Sequence, residues 1–130
     1  MPTGSRTKKK KQRTVLLVED QKYSLLVLMK MLERMGITVI SAVNGQEAID
    51  ICRQNNDLDL VLMDLKMPVM DGYNAMREIK KIRPDIRIIA ETAYALAGDE
   101  KRILAAGFDD YLPKPITKES LEVIINRNLV

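Results

Sequence analysis

Five short apolar runs, each followed by a segment with helical spacing, constrain this chain more than any other feature of it. The runs are Val15-Leu16-Leu17-Val18, Val39-Ile40, Leu60-Val61-Leu62-Met63, Ile86 through Ala90, and Tyr111-Leu112. Continuous apolar runs of this length suit strands buried on both faces. Leu25, Leu28, Met29, Leu32 and Met35 share one helical face, and Gly36 follows as a stop. Asn44 with Glu47 three residues on predicts a capping box, and Ala48, Ile49 and Cys52 form the buried face behind it. Ala75, Met76 and Ile79 mark a third helix that ends before Pro84. A fourth, roughly 95–106, has a thin apolar face and ends at Gly107. A fifth follows Thr117 and buries Leu121, Ile124 and Ile125.

Strand and helix thus alternate five times, which predicts an α/β fold with one five-stranded parallel sheet. Short crossovers between parallel strands are right-handed, so helices cover both faces. The expected strand order is 2-1-3-4-5, the flavodoxin-like arrangement with five flanking helices. The eight methionines sit at core spacing and read as packing residues rather than a copper site.

A chain of 130 residues and 14.8 kDa fits one domain. Its charge is uneven. Six of the 21 basic residues fall within residues 1–14, where there is no acid, so the remainder carries 15 basic against 18 acidic residues and a net charge of −3. The basic stretch lacks aromatic residues and amphipathic period, so residues 1–13 read as a disordered tail or linker rather than a nucleic-acid arm. The folded domain is expected over 14–130. A lone cysteine, Cys52, excludes an internal disulfide framework, and the lack of histidine excludes a Ser-His-Asp triad and imidazole metal sites. No apolar run approaches the ~18 residues of a membrane helix, and no signal peptide is recognisable. A cytoplasmic location is expected, with neither membrane nor nucleic acid as a direct partner.

In such a sheet, ligands bind beyond the carboxyl ends of the strands, where the strand order reverses. Glu19-Asp20, Asp64, Thr92 and Lys114-Pro115 all stand at such ends. Two like charges ~4 Å apart cost about 4 kcal/mol at an effective dielectric near 20. Three gathered carboxylates therefore need a cation or must protonate. Hard oxygen ligands favour Mg²⁺ or Mn²⁺, which like to share their shell with a phosphoryl group. A carboxylate beside such a metal can be a nucleophile toward phosphorus, with a lysine and a hydroxyl holding the transferred oxygens.

Four separated signatures fall in order at those strand ends: Glu19-Asp20, Asp64 through Gly72, Thr92-Ala93, and Tyr111 through Pro115. Together they resemble the receiver domain of two-component response regulators, over roughly residues 15–128. The resemblance implies that Asp64 accepts the phosphoryl group, that Asp20 binds Mg²⁺ directly and Glu19 through water, and that the Lys66 carbonyl completes the metal shell. It gives Thr92 and Tyr111 as switch residues and Lys114 as the lysine on the acyl phosphate, with a cis Lys114-Pro115 bond to aim it. A phosphohistidine on a histidine kinase or a phosphotransfer domain is the implied donor. The face formed by the fourth helix, fifth strand and fifth helix is the implied output surface. Such a domain catalyses its own phosphorylation and dephosphorylation without being an independent turnover enzyme.

The stretch Thr92 through Asp99 resembles receivers fused to hybrid sensor histidine kinases, which would make the lysine-rich start a linker from a kinase core. A stand-alone response regulator is the alternative. A Mg²⁺-dependent phosphohydrolase with an aspartyl-phosphate intermediate would want an acid two residues after its nucleophile, where Lys66 stands. Lys66 and Tyr94 occupy the positions that in receivers flank the hydrolytic water, and neither resembles a side chain that would orient it. A long-lived phosphorylated form is the expectation.

Overall fold

The computed structural model describes residues 12–66, 70–93 and 98–129. Strands β1 (Arg13–Val18), β2 (Ile37–Ala42), β3 (Leu60–Asp64), β4 (Arg87–Thr92) and β5 (Asp110–Pro113) alternate with helices α1 (Lys22–Arg34), α2 (Gly45–Gln54), α3 (Gly72–Ile82), α4 (Asp99–Ala106) and α5 (Lys118–Asn128). The strands form one parallel sheet in the spatial order β2-β1-β3-β4-β5, as the alternation predicts.

Strand alternation sends successive side chains to opposite faces. Leu16, Val18, Val61, Met63, Ile88 and Ala90 pack against Ala48, Ile49, Ala75, Met76, Ile79 and Ile103 of α2, α3 and α4. On the other face, Val15, Leu17, Leu60, Leu62, Ile89 and Leu112 meet Leu28 and Leu32 of α1 and Leu121, Ile124 and Ile125 of α5. Both faces of the central strands are therefore buried, which is why the runs are continuously apolar. Met63 and Met76 lie inside this core, in keeping with their reading as packing residues. Cys52 is buried and free. Among the described residues no helix is long and apolar enough to cross a membrane.

The helix boundaries follow local chemistry. Gly36 takes φ 81° just after α1, a left-handed conformation that costs glycine little. Asn44 caps α2 by accepting from Glu47 N at 2.8 Å. The reciprocal half of the expected box goes elsewhere, because the Glu47 carboxylate accepts from Val43 N at 2.9 Å. A full box does form on α5, where Thr117 and Ser120 cap each other's backbone N–H groups at 3.0 Å. Helix α4 is described from Asp99, and residues 95–97 of the expected helix lie outside the described residues. Gly98, the residue before the helix, takes the left-handed φ of 93°.

At the end of the sheet remote from the strand carboxyl ends, Asp110 accepts from Arg127 Nε at 2.9 Å and from Asn128 Nδ2 at 3.0 Å. Arg87 Nε donates to Asn128 Oδ1 at 2.7 Å. This network ties the starts of β4 and β5 to the last turn of α5.

Candidate functional site

The sheet register assembles the site. Leu17, Leu62 and Ile89 stand side by side across β1, β3 and β4. Two residues further along, Asp64 pairs with Glu91, and one more step of the β1–β3 register sets Glu19 beside Asp64. A row of leucine and isoleucine thus becomes a row of carboxylates where the strands end. Neighbouring strands lie ~4.8 Å apart, so the charges are forced together by backbone pairing rather than by flexible side chains. The edge is held firmly: Glu19 N donates to Ala42 O at 3.0 Å, Leu65 N to Glu91 O at 3.2 Å, and Lys114 N to Thr92 O at 2.7 Å.

Oxygens of Glu19, Asp20 and Asp64 lie within 4.8 Å of one another. Glu19 is fully buried, Asp64 is buried and Asp20 is exposed. Asp64 Oδ1 accepts from Lys66 N at 3.1 Å. The Lys114 ammonium stands 3.5 Å from Asp64 Oδ2 and 3.9 Å from Glu19 Oε1. The Lys114-Pro115 bond is cis, as the resemblance implies. Thr92 is buried at the end of β4. A cavity of about 960 Å³ opens over these groups, with Asp20, Asp64, Lys66, Glu91, Thr92 and Lys114 in its lining.

Helix α3 is set close to the site by a missing side chain. A Cβ on Gly72 would lie 2.6 Å from Asp64 O and 2.9 Å from Leu65 Cα, so only glycine permits this approach. Asp71 caps the helix by accepting from Asn74 N at 2.9 Å.

The electrostatics fit a cation. Burial above all, then the neighbouring Asp64 charge, pushes Glu19 up to about 7. Burial pushes Glu91 well above the usual carboxylate range, and Glu19 and Asp64 add to the shift. Burial would lower Lys114, but the surrounding Asp64, Glu19 and Glu91 carboxylates outweigh it and raise its affinity for the proton. One ammonium facing so many carboxylates leaves the site deficient in positive charge. The donor set is all oxygen, which suits Mg²⁺ rather than zinc.

Glu19, Asp20, Asp64, Thr92 and Lys114 meet at one edge as the sequence predicts. Lys66 is exposed beside them. Tyr111 is half-buried on β5, and its hydroxyl donates to Glu100 Oε1 at 3.2 Å. Tyr94 lies outside the described residues. Glu91 escaped the sequence reading because it follows the apolar run Ile86 through Ala90 and precedes the residue that marks the strand end. The signal was present: a charge inside a strand that the pattern requires to be buried. Asp99 is likewise buried near the cavity and pairs with Arg102.

Residues 15–126 match the family description "Response regulator receiver domain". The sensor protein GacS of Pseudomonas syringae pv. syringae is 37% identical over 116 residues, which is 85% of this chain but only 13% of that protein. The crystallised receiver domain of sensor histidine kinase PA1611 from Pseudomonas aeruginosa, with a magnesium ion in its active site cleft, is 38% identical. It superposes with a TM-score of 0.83 over 91% of this chain and 98% of that one. The receiver domain of the Saccharomyces cerevisiae response regulator Ssk1, crystallised with the histidine phosphotransfer protein Ypd1, is 31% identical with a TM-score of 0.81, over 91% and 89% of the two chains. The chain belongs to the response regulator receiver domains, the family of two-component phosphorelays.

Proposed function

We propose that Asp64 takes a phosphoryl group from a phosphohistidine donor, with Glu19 and Asp20 holding Mg²⁺ beside it. The observation that carries this reading is the gathering of Glu19, Asp20 and Asp64 within 4.8 Å, with the Lys114 ammonium 3.5 Å from Asp64. An Asp64 oxygen attacks phosphorus, the P–N bond to the donor imidazole breaks, and a P–O bond forms. The imidazole leaves with the electron pair of the broken bond. Lys114 neutralises charge on the phosphoryl oxygens, and the Thr92 hydroxyl, drawn toward them, carries the switch. Mg²⁺ bound by the carboxylates, with the Lys66 carbonyl in its shell, supplies neutralisation of the transferred group; Mn²⁺ is an equivalent hard ion.

The donor we propose is a histidine kinase or a phosphotransfer protein, the kind of partner with which the Ssk1 receiver was crystallised. The similarity to GacS and to hybrid signal transduction histidine kinase G of Dictyostelium discoideum supports a place within a hybrid sensor histidine kinase; in this reading residues 1–13 are a linker, 14–130 are the receiver, and the domain works in the cytoplasm. Output runs through α4, β5 and α5, where Leu104 and Val123 are exposed at 41% and 57% beside Tyr111.

Incubation with acetyl phosphate and MgCl₂ should add one phosphoryl group to the intact mass. Asp64→Asn should abolish the gain, and EDTA should suppress it. Equal labelling of Asp64→Asn, or no effect of EDTA, would overturn the reading.

A further inference from the structure

Among the described residues, three buried side-chain oxygens lack a hydrogen-bond partner: Glu19 Oε1, Glu91 Oε1 and Glu91 Oε2. All three belong to the carboxylate row at one end of the sheet. Glu91 is fully buried, yet it reaches the cavity wall. Buried acceptors are almost always satisfied, so three orphans in one place are a signal rather than noise. The lysine does not resolve them. Lys114 Nζ reaches toward Asp64 and Glu19, and no hydrogen bond joins it to Glu91. The backbone does not either, because the nearby N–H of Leu65 is spent on the Glu91 carbonyl. A purely structural residue here would be leucine or isoleucine, like its row-mates Leu62 and Ile89 two positions back.

Glu91 is not among the carboxylates whose oxygens gather within 4.8 Å. It stands on β4, paired with Asp64 and on the far side of it from Glu19. Small hard cations keep several waters, and each bound water is a strong donor that needs an acceptor. We infer that Glu91 is an outer member of the divalent-cation site: its two oxygens accept from waters that arrive with the cation, and through them it positions the ion held by Glu19, Asp20 and Asp64. This rests on the cation reading proposed above. The role is one of positioning, since Glu91 touches neither the phosphoryl group nor the attacking oxygen. The cation-free fold leaves these acceptors without donors, and a tighter cation complex is what they provide.

The test is isothermal titration of MgCl₂ into the parent and into Glu91→Gln, with thermal melts in EDTA and in Mg²⁺. Glutamine fills the same space but replaces one acceptor by an amide donor, which cannot take a water's proton and can donate to Glu19. The Mg²⁺ Kd should rise about tenfold or more, as for other outer-shell partners of metal sites. Melting of Glu91→Gln in EDTA should match or exceed that of the parent. An unchanged Kd would overturn the inference while leaving the phosphoacceptor reading intact. A weaker Kd accompanied by a lower cation-free melting temperature would overturn it too, because general damage would then explain the loss. A parent chain that takes up no Mg²⁺ would sink both readings together.

Discussion

At the residue scale, the lifetime of an acyl phosphate on Asp64 depends on whether water can reach phosphorus in line. Lys66 is exposed, two residues past the nucleophile, and its N–H donates to Asp64 Oδ1 at 3.1 Å. The backbone bond fixes where the side chain starts, so the lysine stem begins at the rim of the cavity. An ammonium there can cover phosphoryl oxygens but cannot accept a proton from water, unlike the residues that position the attacking water in fast-turning phosphoryl sites. Lys66→Asn should therefore shorten the phosphorylated lifetime severalfold, since ~1.4 kcal/mol of barrier is a factor of ten in rate. Phosphate release after donor removal measures it. Unchanged decay would mean that water arrives by a route this side chain does not guard.

At the element scale, α4 should be the helix most easily displaced. It has eight residues, and Ile103 is its only buried apolar side chain. By contrast α3 buries Ala75, Met76 and Ile79, and its first turn is pinned against Asp64 and Leu65 by Gly72. Few buried contacts mean a low cost of local rearrangement. Tyr111 is tethered to α4 through Glu100, so movement of one is felt by the other. Adding beryllofluoride and Mg²⁺ should shift amide resonances of α4 and β5 more than those of α2; shifts confined to α1 and α2 would contradict an output surface at α4. The limits of the sequence also show at this scale. Strands and their order were legible because two-sided burial writes itself as unbroken apolar runs. The site was legible because its residues terminate those runs. The left-handed turn at Gly98, φ 93°, was not, since apolar spacing carries no sign of it. Glu47 has the spacing to close a box on Asn44, but its carboxylate accepts from the N–H one residue earlier. Glu91 was the harder residue to read, because its one signal is a charge directly after the apolar run of a strand that the pattern requires to be buried.

At the scale of the whole molecule, the charges give a stability profile that a divalent cation should reverse. Glu19 binds its proton up to about 7 in the fold, against 4.5 ordinarily, and Glu91 shifts in the same direction. Between those limits the folded chain holds protons that the unfolded chain has lost, so raising pH through this window lowers the stability of the cation-free fold. Asp110 acts oppositely. Burial alone would raise it, but donation from Arg127, Asn128 and Tyr111 N holds it below the usual range. Its contribution is present above the ordinary carboxylate value and fades as acid protonates it in the fold. The cation-free chain should thus melt highest in mildly acidic buffer, between these two limbs. Mg²⁺ competes with protons for Glu19 and binds the folded state alone, so it should stabilise more as pH rises. Melts followed by circular dichroism at about pH 5 and about pH 8 test the sign. In EDTA the melting temperature should fall toward the higher pH, and Mg²⁺ should raise it far more at about pH 8 than at about pH 5. Equal Mg²⁺ effects at both values would mean that the carboxylate row is already ionised in the acidic buffer, and that Glu19 and Glu91 hold no protons for the cation to displace.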